Sequence, residues 1–303
     1  MTGSRLVAAV VVLALAVCAG CGEQEAAEEE RLAGEHRAGE ARGGEPPAKA
    51  APSQQPAAAY SKKAPPAEAK ARPEPPPGYT ASEERPGMVY IPAGEFLMGS
   101  AADDRMVYPW EKPREQPQHP VYVDAFYMDT YEVTNAQYER FDPTHSRHGM
   151  SPCDDCPVVR VSWFKAKEYC EAQQPPKRLP TEAEWEKAAK GGGKPLLGPF
   201  KDSAWYSGNS IKQAQPVGKK RPNGYGLHDM LGNVREWTAD WYDPGYYGLR
   251  VRDNPKGPDK GARRVERGGA FFLPQRGVTT TIRYNHPPHF RLYFLGFRCV
   301  QDP

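Results

Sequence analysis

Charge of one sign is missing from this chain. Its 40 lysines and arginines meet 38 aspartates and glutamates, a net charge of +2, which leaves no electrostatic case for nucleic acid or an anionic membrane surface as partner. Long apolar runs are also scarce. The run from Leu6 to Val17 behind Arg5 is too short for a bilayer-crossing helix. It has instead the charged start, apolar centre and small-residue exit of an export signal. Residues 22–85 hold almost no large apolar side chains. That excludes a packed core there, because burial cannot offset the entropy of ordering the chain. Over residues 86–303 no internal repeat is visible and long helical periods are few, so solenoids and helical bundles are excluded as well.

What is present divides the chain in three. Ala19-Gly20-Cys21 looks like the end of a bacterial lipoprotein signal, whose cleavage at residue 20 leaves Cys21 as a lipidated N-terminus; Cys18 stands where such signals usually carry leucine. Gly22 follows rather than aspartate, which favours the outer membrane. Residues 21–85 read as a tether, stiffened by Pro46-Pro47, Pro65-Pro66 and Pro75-Pro76-Pro77 into extended, polyproline-like stretches. Residues 86–303 suffice for one well-buried domain, expected to be α+β and loop-rich. The expected location is the bacterial cell envelope.

Within that domain, Val89 and Ile91, then Phe96 and Met98, alternate around Pro92-Ala-Gly94, the pattern of a hairpin. Residues 121–128 and 158–161 read as strands. Thr134 with Gln137, Ser162, and Thr181 with Glu184 mark three helix starts, the last stopping at Gly191. Arg263-Arg264 and Lys219-Lys220-Arg221 read as solvated loop charges, and Trp237 to Tyr242 as core.

Exported cysteines meet an oxidising compartment. Cys153-Asp-Asp-Cys156 favours a local disulfide, while His145 and His148 just upstream leave open a zinc-like site of imidazole and thiolate ligands.

Five phrases in order carry a resemblance: Met88-Val-Tyr-Ile-Pro-Ala-Gly-Glu-Phe-Leu-Met-Gly99, Glu132-Val-Thr-Asn135, Arg178-Leu-Pro-Thr-Glu-Ala-Glu-Trp-Glu186, Gly232-Asn-Val-Arg-Glu-Trp237 and Leu295-Gly-Phe-Arg-Cys299. Together they resemble the formylglycine-generating enzyme, or sulfatase-modifying factor, family across residues 86–303. The resemblance implies a fold distantly related to C-type lectins and a Cys170–Cys299 disulfide. It also implies a calcium ion held by the side chains of Asp229 and Glu236 and the carbonyls of Gly232 and Val234, a set of hard oxygens that suits calcium.

The family's chemistry is another matter. Its enzymes oxidise a substrate cysteine with copper held by two cysteines after an Arg-Gly-Gly-Ser-Trp phrase, which here reads Arg267-Gly-Gly-Ala-Phe271. Counting on, the copper-binding positions fall on Leu273 and Val278, and no cysteine lies between Cys170 and Cys299. Thiolates select Cu(I), so copper is not expected. The tryptophan of the calcium loop is Arg235. The reading that follows is a calcium-stabilised, membrane-anchored binding module. Arg235, Arg283, Tyr284 and His289 would line its former substrate cleft, and its partner would be an envelope protein, a peptide or a glycan. The alternative is a metal-dependent oxidoreductase of the same family with another ligand set; His286 and His289 lack a nearby carboxylate in sequence.

Overall fold

The computed structural model describes residues 85–193 and 198–303; the expected export signal, the expected lipidation site Cys21 and the expected tether up to residue 84 lie outside them. Pairing at the start of the domain is long-range. β1 (Met88–Ile91) runs antiparallel to β4 (Phe126–Asp129), with Met88 opposite Asp129 and Ile91 opposite Phe126. The other edge of β4 takes β9 (Val300–Gln301), so the first and last strands share one three-stranded sheet. β2 (Gly94–Met98) pairs with β3 (His119–Val123). The hairpin expected between β1 and β2 therefore does not form, because alternation marks a strand without naming its partner. The strand expected over residues 121–128 is broken at Asp124, whose N–H donates to Asn254 Oδ1 and whose carboxylate accepts from Asn254 Nδ2.

The helix signals hold. After α1 (Lys112–Glu115), α2 (Asn135–Phe141) and α4 (Glu182–Ala189) each begin with a complete capping box, Thr134 with Gln137 and Thr181 with Glu184; Ser162 caps α3 (Trp163–Ala172). Such caps are each worth about 1 kcal/mol. α4 runs into Gly191 at φ 59°, a conformation glycine adopts without cost. Val158, Val159 and Val161 are buried but form no strand. Between them Arg160 turns left-handed at φ 60° and sends its N–H to Leu292 O, which breaks the extended run.

β5 (Arg235–Trp241), β6 (Arg264–Arg267), β7 (Tyr284–His286) and β8 (Leu295–Gly296) make a four-stranded sheet in the order β7-β6-β5-β8, parallel only between β5 and β8. Two apolar clusters fill the domain. One gathers Trp237, α3, Phe271 and the joined Cys170 and Cys299; the other gathers Trp185 of α4 with β1, β3 and β4. Short helices and short, mostly antiparallel strands joined by irregular chain are the α+β, loop-rich architecture expected from the sequence.

Candidate functional site

α4 is buried along its whole length, which no helix carrying three glutamates tolerates unless each is matched. Each is. Glu182 takes two hydrogen bonds from Arg283, at 2.7 Å from Nε and 2.8 Å from Nη2. Glu184 closes the capping box and accepts from both terminal nitrogens of Arg178. Glu186 accepts from Arg267 Nη2 at 2.5 Å, from Gly99 N at 2.7 Å, and pairs with Lys190. Arg267 Nη1 and Nη2 also donate to the carbonyls of Thr280, Thr281 and Ile282, fixing the chain just past Val278, while its buried Nε has no hydrogen-bond partner. The phrases that carry the resemblance are thus mutual partners, and the Arg178–Glu186 and Arg267 phrases are framework.

Beside that framework lie the positions assigned to copper. Leu273 and Val278 are buried with Ala270 and Phe271 in the apolar cluster. Their hydrocarbon side chains offer no donor atom for Cu(I), so the residues present do not fit that metal.

The loop expected to hold calcium is a buried knot of charge. Asp229, Gly232 and Asn233 all have positive φ, at 58°, 85° and 56°, and a Cβ on Gly232 would stand 1.8 Å from Trp205 O. Glu236 takes Arg298 Nε at 2.8 Å, Arg298 Nη2 at 2.7 Å and Trp185 Nε1 at 2.8 Å. Glu132 accepts from Asn233 Nδ2 and Val234 N. Asp229 Oδ2 accepts from Gly218 N at 2.7 Å, while its buried Oδ1 has no hydrogen-bond partner. Three buried carboxylates face one guanidinium. Burial, with Asp229 and Glu236 beside it, holds the Glu132 carboxyl well above its ordinary range; burial raises Asp229 too. The orphaned Oδ1 and the surplus negative charge fit a hard divalent cation, with Asp229 as the free ligand and Glu236 shared with Arg298. Among the described residues, no group of three His, Cys, Asp or Glu side chains is placed to hold a metal, so such an ion would lean on backbone carbonyls.

The residues expected to line a cleft divide. Arg235 and Arg283 are fully buried and line no open groove. Arg283 belongs to Glu182; Arg235 is stacked 3.5 Å from the Tyr284 ring centroid and 4.9 Å from that of Phe294, and reaches Glu266 only at 3.5 Å. Tyr284 is half-buried, donating to Gly277 O at 3.0 Å, and His289 is exposed, edge-on to Phe290. Arg264 is no solvated charge: it sits 3.8 Å from the Trp163 centroid and 3.4 Å from that of Trp241. Lys220 likewise lies 3.9 Å over Trp205. The carboxylate missing near His286 in sequence comes from β6, as Glu266 Oε1, 2.6 Å from His286 Nδ1.

Cys153 and Cys156 are joined, so thiolate coordination is ruled out for them. His145 packs edge-on against Tyr138 and His148 stacks on Tyr293. In the disulfide loop Cys156 O accepts from Asn135 N–H and Asp154 O from Ala136 N–H, capping α2.

Open concave surface lies elsewhere. A cleft of about 850 Å³ between the β4–α2 turn and α3 is lined by Tyr131, Phe141 and Tyr169, with Asp155, Arg140 and Lys177 on its walls. A second, of about 620 Å³, has Trp163 and Leu179 on its floor and Lys167, Glu171 and Arg178 at its rim. Neither was legible in sequence, since each is assembled from segments far apart along the chain.

Comparison with known proteins accords with this geometry. Residues 76–303 match the sulfatase-modifying factor enzyme 1-like domain. The formylglycine-generating enzyme of Bos taurus is 30% identical over 286 residues, covering 71% of this chain and 74% of that protein. The inactive C-alpha-formylglycine-generating enzyme 2 of Mus musculus is 28% identical, covering 72% and 86%. Among solved structures, Treponema denticola variable protein 1 superposes with a TM-score of 0.60 at 27% identity, covering 71% of this chain and 95% of the other.

Proposed function

The chain belongs to the sulfatase-modifying factor, or formylglycine-generating enzyme, family, and from that premise we propose that it is an envelope lipoprotein whose domain binds a protein, peptide or glycan instead of oxidising cysteine. The family holds enzymes and a member named as inactive, so membership alone does not assign catalysis. The observation that carries the reading is the apolar filling of Leu273 and Val278, where Cu(I) would need thiolates. Lipid at Cys21 would anchor the chain to the outer membrane and residues 22–85 would hold the domain away from it. The contact surface is the cleft lined by Tyr131, Arg140 and Tyr169, which offers apolar faces and both signs of charge. Incubated with Cu(I) and a cysteine-containing peptide, the full chain is expected to form no aldehyde. Aldehyde formation would favour the metal-dependent oxidoreductase reading. Crosslinking in intact envelopes should lose its partner about tenfold when Tyr131 and Arg140 are replaced by alanine, one hot-spot's worth of binding, with the melting temperature unchanged.

Calcium at Asp229, with the carbonyls of Gly232 and Val234 and a share of Glu236, completes the proposal; the ion would supply positive charge and pin the loop. Its pH dependence follows from the carboxyls. Glu132 and Asp229 are raised in the folded state, so without calcium their contribution to stability is present at low pH and is lost as pH rises through their folded values. Calcium replaces the bound protons, and metal affinity therefore grows with pH. Calcium is expected to raise the melting temperature more at pH 8 than at pH 5, and Asp229→Asn to abolish the difference, both read by scanning calorimetry with and without chelator.

A further inference from the structure

The segment between β2 and β3 folds back on itself. Ser100 N donates to Glu115 O at 3.0 Å, Gln116 Nε2 to Ala101 O at 2.9 Å and Gln118 Nε2 to Gly99 O at 3.1 Å. The loop so closed lies over residues 276–284. Arg283 Nη1 donates to Arg114 O at 3.0 Å, Arg276 lies 5.8 Å from the Tyr108 ring, and Tyr108, Glu111 and Glu115 are electrostatic neighbours of Tyr284. Its outer side carries Trp110, 62% exposed and stacked on Tyr108. Its inner side carries Glu115, 1% exposed, whose Oε2 has no hydrogen-bond partner.

An ionised Glu115 is poorly served there. The groups facing it are Thr281 and Arg267 from beneath, Glu186 from α4 and Glu111 from its own segment. Both terminal nitrogens of Arg267 are already held by Glu186 and three carbonyls, which leaves only its Nε without a partner; Arg283 is held by Glu182, and Glu186 and Glu111 repel a negative charge. The geometry points to a strap: residues 99–118 close over residues 276–284, latched by Glu115 in its neutral form and loosened when that carboxyl ionises. The latch stands independently of any partner, though the stretch it covers includes Val278, one of the two positions assigned to copper.

Burial, with Glu186 and Glu111 adding to it against Thr281 and Arg267, lifts Glu115 from 4.5 to about 7. The closed strap thus holds its proton at pH values where an open one has lost it. Closure is fully supported below pH 4.5 and weakens as pH rises through about 7, by up to about 300-fold in the opening equilibrium for a shift of that size. Above that the effect levels off.

Hydrogen–deuterium exchange of the full chain from pH 5 to 8, corrected for intrinsic rates, tests this. Peptides within residues 100–117 should lose protection progressively as pH rises from 5 to about 7 and level off above that, while β5 peptides report any global change. Glu115→Gln should keep the strap closed and flatten the profile, and Glu111→Gln, which removes one like charge, should move the levelling-off point to lower pH. A flat wild-type profile, a Glu115→Gln profile with the wild-type slope, or an unmoved levelling-off point in Glu111→Gln overturns the latch.

Discussion

Replacing Cys170 and Cys299 together by alanine is expected to destabilise the domain by about 5 kcal/mol, and replacing Cys153 and Cys156 by only about 2. The difference is chain entropy. The first bridge closes a separation of 129 residues and the second a separation of 3, and the freedom a crosslink removes from the unfolded chain grows with the loop it closes. The first bridge also ties α3 to the segment leading into β9, inside the cluster that holds Trp237 and Phe297. For a domain of this size the loss corresponds to a fall in melting temperature of about 10–20 °C. Denaturant titration of the two double variants beside the wild type checks it; equal losses would contradict the loop argument.

Arg267→Ala is the single substitution with the largest expected effect, about 3–5 kcal/mol, the range for breaking a buried ion pair by removing one partner. Arg267 is wholly buried and serves Glu186 together with the carbonyls of Thr280, Thr281 and Ile282. Its loss leaves all three carbonyls without that donor and Glu186 with only the partly exposed Lys190 as cation. Arg276→Ala, on the same stretch but exposed, should change stability by less than about 0.5 kcal/mol. Equilibrium unfolding separates the two, and similar values would mean that Arg267 is not the framework residue its contacts describe.

These arginines also mark where the sequence stopped being readable. Helix starts were legible because Thr134 with Gln137 and Thr181 with Glu184 act within a single turn. The Cys170–Cys299 bridge was legible from the resemblance, and Cys153–Cys156 from the oxidising compartment that the expected export signal implies. The buried charges were not. Arg283 meets Glu182 across 101 residues and Arg267 meets Glu186 across 81, and an arginine whose partner is unknown reads as surface. Arg235 and Arg283 were therefore assigned to an open cleft, and Arg264 to solvent, although Trp163 and Trp241 enclose it. Strand partners failed for the same reason: β1 alternates properly but finds β4, 38 residues on from Met88 at Phe126 by its first residue. Arg160 shows the converse, one left-handed residue undoing a run of valines that reads as strand.

The proposed choice of binding over oxidation rests on the apolar filling of Leu273 and Val278, and metal content tests it most directly. The full chain, exported into an oxidising compartment and purified without chelator, should carry calcium near one per chain, neither copper nor iron, and consume no oxygen in the presence of thiol peptides. Copper or iron near one per chain, with oxygen uptake that follows the metal, would contradict the account.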